Sequence, residues 1–383
     1  MVLEYPFTPP TAVDPPAEWQ ELRATCPVAH VRTASGGDAV LLTRYDDVRT
    51  MITDRRFVRN TPAGGNMAGF VNDDAAHLRW RRLLTRSFTA RRMTALEPGI
   101  TRIAHDLIDA MIKTGPPADL RTAMGFPLPV YVICDLLGVP AADRERFALW
   151  SDRFLNLTRF TPAEVEQSGR ELWDYMRTHV HAKRDDPGDD LLSELVTVVD
   201  TEDGRLTEEE LIFTGQALLV AGHETTANMI GKMVALLLAR RDRWESLVAD
   251  RSLVPTAVEE VLRFDANLGF GTHRLVTEEV EIAGTTVPAG TTVLSSMPSA
   301  NRDERIFTDP DEMILSRSPN PHLTFGAGVH ACIGQSLARV ELRTVLTALL
   351  DRLPALDLAV PVSELRRREG LLVGGLEEVP VRW

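Results

Sequence analysis

The feature that most constrains this chain is the run Phe325-Gly326-Ala327-Gly328-Val329-His330-Ala331-Cys332-Ile333-Gly334. It stands just ahead of Gln335-Ser336-Leu337-Ala338-Arg339-Val340-Glu341-Leu342, which reads as the start of a helix. A thiol in a glycine-rich loop that opens a helix is placed to be a thiolate. Amide N–H groups and the positive end of the helix dipole stabilise negative sulfur. The three glycines let the backbone curl closely around that sulfur and against a flat ligand.

The spacing Phe-Gly-x-Gly-x-His-x-Cys-x-Gly resembles the haem-ligand loop of cytochromes P450. The resemblance implies haem b, with Cys332 as the axial ligand of its iron and Phe325, Gly326, His330 and Gly334 around it. Thiolate ligation favours cleavage of dioxygen by haem iron. The other cysteines have no such setting. Cys26 lies in a Cys-Pro turn and Cys134 in the apolar run Val130–Leu137, so both are expected to be ordinary buried or half-buried thiols.

A second constraint lies in the middle. Leu206–Ala239 predicts one helix about 50 Å long at the usual rise per residue. Thr207 followed by Glu210 fits a capping box at its start. Inside it stands Ala221-Gly222-His223-Glu224-Thr225-Thr226, where a glycine and two threonines are poor helix formers. A local rule broken inside a strong helix points to a functional site. Small Ala221 and Gly222 leave room over a haem for a diatomic ligand. The Thr225 hydroxyl can donate to bound oxygen, or bond back to a helix carbonyl and open a groove. The resemblance assigns Glu224 the acid role and Thr225 the hydroxyl on the oxygen side.

Further matches are scaffolding. Glu260 and Arg263, three apart on one helix face, match the family's Glu-x-x-Arg element, and Arg317 matches the third member of that ion network. The resemblance assigns haem propionate contacts to His77 and Arg81 (four apart on a helix), to Arg274 and to His330. Arg79, Arg82 and Arg86 fall on the face opposite His77 and Arg81. In a chain of net charge -13 they suggest a docking patch for an acidic ferredoxin. That charge argues against nonspecific nucleic-acid binding.

The 383 residues carry three cysteines, which argues against a disulfide framework and for a reducing compartment. No signal peptide or membrane-spanning run is visible, so a cytoplasmic protein is expected. Residues 1–18 are proline-rich and are expected to lie over the surface. A glycine-turned hairpin is expected over Val28–Thr33 and Ala39–Thr43, and helices dominate from Tyr45 to about Leu262. Short strands are expected at Val280–Ile282, Thr285–Val287 and Thr291–Ser295, then a helical turn near Ala300, a proline-rich coil to the Cys332 loop, and an extended tail. The fold class is thus mainly α with a small β part, in one domain over 1–383. The resemblance implies the cytochrome P450 fold, with haem between the long helix and the Cys-loop helix.

The resemblance covers nearly the whole chain and is strongest to soluble bacterial members that tailor natural products. The run 60–70 is short and glycine-rich where many relatives have a helix roofing the substrate. Pocket walls suggested by analogy are Met67 and Phe70 in that run, Phe154, Leu157 and Phe160 further on, Leu218 on the long helix, then Asn267, Leu268, Phe270 and Leu372. They suit a hydrophobic or aromatic small molecule. The leading reading is a monooxygenase that hydroxylates or epoxidises such a substrate with dioxygen, taking electrons from a separate ferredoxin and ferredoxin reductase. A second reading is an oxidase that couples carbons or closes a ring, for example on a cyclic dipeptide, without inserting oxygen. A third is a haem-thiolate sensor, which would need no proton delivery.

Overall fold

The computed structural model describes residues 2–34, 36–59, 74–155, 160–197, 206–265, 272–368 and 374–383. The run 60–70 and Met67, Phe70, Leu157, Asn267, Leu268, Phe270 and Leu372 lie outside them, as does the side chain of Phe154. The chain forms two compact units, each made of two chain segments: Met1–His77 with Ser252–Cys332, and Leu78–Arg251 with Ile333–Trp383. Among the described residues no helix is long and apolar enough to cross a membrane.

The first unit is built on a six-stranded sheet, ordered Leu3–Tyr5, Val28–Thr33, Asp38–Leu42, Thr292–Ser295, Thr272–Val276, Phe57–Val58. The expected hairpin is present, with Gly36 at φ 83° in its turn, a conformation glycine adopts without a Cβ clash. Strand alternation sorts the side chains to two faces. Ala29, Val31, Leu41 and Leu294 join Tyr5 and Leu22 in one apolar cluster. Val28, Val40, Leu42 and Val293 join Val48, Met51 and Phe307 in another. The sheet's inner strands are thus buried on both sides.

The N-terminal expectation is corrected here. Leu3–Tyr5 is a strand, parallel to Val31–Thr33, and Tyr5 is buried. The prolines that follow, from Pro6 on, obscured so short a strand. The strands Thr272–Val276 and Phe57–Val58 were not anticipated either. Both are ordered by partners far away in sequence.

The second unit is organised by the long helix, Glu208–Leu238. Thr207 caps it, and Glu210 returns the bond to the Thr207 amide, completing the capping box. It packs against the helices Pro127–Leu136, Arg144–Leu155, Pro162–Asp185 and Gln335–Arg352. That surround explains why its sequence is apolar on nearly every side. The chain's end is also tied in: Pro380–Arg382 pairs with Asp357–Leu358 on one edge and Ala118–Asp119 on the other.

Glu341 on the helix Gln335–Arg352 is buried, and desolvation pushes its carboxyl up to about 8 despite a hydrogen bond from Thr226. The unfolded chain releases that proton near 4.5. Between these values the folded state holds a proton that the unfolded state lacks, so stability falls as pH rises through the window. The slope reaches about 1.4 kcal/mol per pH unit and flattens above the upper value. Urea midpoints across this range should decline in the native protein and flatten in Glu341→Gln. Parallel curves would mean that Glu341 is ionised in the fold.

Candidate functional site

In the first unit, the coil that leads to Cys332 is held from several sides. The Leu323 amide donates to Asn301 Oδ1 at 2.7 Å, and Thr324 Oγ1 donates to the Leu262 carbonyl at 2.6 Å. Beneath it lies the ion network. Arg263 forks onto both oxygens of Glu260 at 2.8 Å, and both side chains are fully buried. Glu260 also accepts from Arg317 Nε, the Ile314 amide and Asn320 Nδ2. The two arginines spend their remaining donors on carbonyls of Asn301, Thr308, Asp309, Pro310 and Glu312. A coil without regular structure is thereby fixed through its backbone.

The Cys332 loop closes on itself, with the Cys332 amide donating to the Phe325 carbonyl at 2.7 Å. Gly326 and Gly328 have φ of 69° and 68°. A Cβ at Gly328 would also press on Thr53 and the Ile52 carbonyl. Gly334 differs: at φ -83° it is the N-cap of the following helix, where no left-handed turn is needed. Cys332 is exposed. Cys134 is buried, and desolvation pushes its thiol up to about 12, the setting of an inert neutral thiol. Cys26 is exposed rather than half-buried.

Two of the residues assigned to haem propionates meet within this unit. His77 Nε2 and His330 Nδ1 are 2.9 Å apart, their rings 4.4 Å between centroids. In such a contact one ring nitrogen donates and the other accepts. Arg274 is buried on the strand Thr272–Val276 and donates to the His273 carbonyl. Arg81 sits one turn after His77 on the helix Asp74–Ser87. On the same helix the expected arginine patch is corrected. Arg79 is paired with Glu210 instead of lying on a solvated face, while Arg82 and Arg86 are exposed. Glu210 needed a cation because its carboxylate is almost fully buried at the helix cap.

In the second unit the long helix opens where its sequence is weakest. Ala221 is exposed, and Gly222 and Thr225 are half-buried, between buried stretches. The Thr225 hydroxyl donates back to the Ala221 carbonyl at 2.8 Å, the groove-opening bond that a helical threonine can make. Of the pocket-wall candidates that are described, Leu218 is buried and Phe160 is half-buried under the Arg153 guanidinium.

Glu224 points away into the unit's interior. Its Oε1 accepts from Arg368 Nη1 at 3.0 Å and from Asn228 Nδ2 at 3.3 Å, and its Oε2 is buried without a hydrogen-bond partner among the described residues. Desolvation raises its carboxyl above the usual range, with Arg368 and Arg121 pulling it back and Asp152 adding to the rise. Next to it His223 is fully buried, 2.5 Å from Ser151 Oγ. Burial pulls its imidazole down to about 3, so it stays neutral. Sequence reasoning missed Arg368, Arg121 and Asp152. Arg368 closes a run of three arginines in the tail, and nothing local distinguishes the one that turns inward.

These residues fit a haem. A loop curled at two glycines presents an exposed thiol, the soft donor that haem iron accepts. The long helix is open at Ala221, next in sequence to a buried carboxyl with one oxygen lacking a hydrogen-bond partner among the described residues.

The comparisons agree. The profile of the cytochrome P450 family matches residues 163–357. The chain is 43% identical to nocardicin C N-oxygenase of Nocardia uniformis subsp. tsuyamanensis, over 99% of this chain and 98% of that one. It is 42% identical to mycinamicin IV hydroxylase/epoxidase of Micromonospora griseorubida, over 99% and 98%. Among solved structures, the LnmA cytochrome P450 hydroxylase from the leinamycin biosynthetic pathway of Streptomyces atroolivaceus superposes with a TM-score of 0.93 at 42% identity, covering all of both chains. Fold, haem-iron chemistry and the use of dioxygen on a small molecule follow from that kinship. The chain belongs to the cytochrome P450 family and is a monooxygenase.

Proposed function

We propose that this enzyme uses haem b ligated by Cys332 to hydroxylate or epoxidise a hydrophobic or aromatic small molecule of bacterial secondary metabolism. It works as one domain in the cytoplasm, with electrons from a ferredoxin and its reductase. Relatives named for nocardicin C and mycinamicin IV as substrates support a small-molecule substrate class. The haem supplies dioxygen binding and O–O cleavage when bound. His77, Arg81, Arg274 and His330 hold its propionates, and Phe325, Gly326 and Gly334 shape the loop around the sulfur. Ala221 and Gly222 leave room on the long helix for a diatomic ligand.

The observation that carries the reading is the open turn at Thr225 on the long helix, next in sequence to the buried carboxyl of Glu224. Thr225 keeps its hydroxyl on the Ala221 carbonyl, and burial raises the Glu224 carboxyl above its ordinary range. A protein that only sensed a ligand would need neither. In Thr225→Ala, electron consumption should continue while product per electron falls severalfold and peroxide appears. Unchanged product yield per electron would refute the proton-delivery role. Equal absence of turnover in native and variant protein, with ligand binding intact, would favour a sensor.

A further inference from the structure

Glu224 draws both of its hydrogen-bond donors under the influence of one element. Near the C-terminus the chain doubles back: Arg367 bridges Leu376, the Arg368 amide donates to the Gly375 carbonyl at 2.9 Å, and the Glu377 amide donates to the Arg366 carbonyl at 2.9 Å. One arm of this stem carries Arg368, whose guanidinium lies 3.0 Å from Glu224 Oε1 and 3.8 Å from Asp152. The other arm carries Gly375. A Cβ there would fall against the Asn228 side-chain amide, 2.3 Å from Oδ1 and 2.6 Å from Cγ. Asn228 is the second donor to Glu224. One arm therefore supplies a donor, and the other arm has no side chain where the second donor must stand.

We propose that Arg368 and Gly375 are positioning residues for the reaction: the stem 366–368/375–377 fixes the orientation and charge of the Glu224 carboxyl, Arg368 by direct pairing and Gly375 by leaving Asn228 its place. The proposal rests on reading Glu224 as the proton-handling acid. The charged groups facing Glu224 are Arg368 from the stem, Arg121 from the π-helical turn Arg121–Gly125, and Asp152 from the helix Arg144–Leu155. Loss of Arg368 removes the foremost group favouring the carboxylate and leaves Asp152 less compensated. Both changes favour the protonated acid.

The test is an infrared titration of the haem-loaded enzyme carrying labelled glutamate. The Glu224 carboxyl is identified as the difference between native protein and Glu224→Gln. In Arg368→Gln the carboxyl should take up its proton at higher pH, with the protonated-to-ionised ratio at fixed pH changed roughly tenfold or more. Arg368→Lys should restore most of the native titration. Gly375→Ala should move it in the same direction but less, because only the Asn228 bond is lost. Product yield per electron should follow the same pH displacement. A Glu224 titration unchanged in both Arg368→Gln and Gly375→Ala overturns the proposal, and a poorly folding Arg368→Gln leaves Arg368→Lys and Gly375→Ala to decide it. Full coupling in Glu224→Gln would instead defeat the acid assignment. An infrared displacement in Arg368→Gln would then still support control of the carboxyl by the stem.

Discussion

Cys332→Ser is expected to lose the red-shifted band of the reduced carbon monoxide complex, and turnover should fall to the level of haem-free protein. A serine hydroxyl does not ionise near neutral pH, so the loop's amides and the helix dipole have no anion to stabilise. The substitution is otherwise mild. The Cys332 amide keeps the bond to the Phe325 carbonyl whatever the side chain. Circular dichroism should therefore match the native protein. Cys134→Ser and Cys26→Ser are the controls: one thiol is buried and neutral, the other lies far along the chain at the C-cap of the helix Glu18–Thr25. Both should keep the band. A red-shifted band that survives in folded, haem-loaded Cys332→Ser would remove the ligand assignment.

Arg263→Ala should destabilise the fold by about 3–5 kcal/mol, the cost of leaving a buried charge without its partner. Glu260 would retain Arg317 at 3.0 Å but lose the two-pronged partner that meets both of its oxygens. The carbonyls of Asn301 and Pro310 would lose their donor as well. Arg263→Lys would recover little, since one ammonium cannot reproduce a planar fork. Chemical denaturation reads the loss directly, and against a typical total of about 5–15 kcal/mol it is large. A change below about 1 kcal/mol would mean that water enters and solvates the carboxylate, as at a surface pair.

Where local geometry is written in neighbouring residues, it could be read before the fold was known. The Cys332 loop, the capping box at Thr207 and the weak turn at Ala221–Thr226 each depend on spacing within a few positions. The Glu260–Arg263 pair was legible for the same reason, and Arg317 followed from the family pattern. Long-range partnerships were not legible. Nothing near Leu3 announces Val31, and nothing near Arg368 announces Glu224. Arg79 shows the same limit: helical geometry gave the correct face, but only the fold reveals the buried carboxylate waiting there.

The parallel pairing of Asp38–Leu42 with Thr292–Ser295 has a consequence during synthesis. The hairpin's inner edge emerges from the ribosome some 250 residues before its neighbour does, between Leu42 and Thr292. At about 5–20 residues per second that edge waits roughly 10–50 s with its backbone groups unpaired and its apolar faces uncovered. An exposed strand edge is a template for the wrong partner. For this chain the most hazardous interval is thus before release, and slowing translation between the two strands should raise the aggregated fraction without altering a single residue.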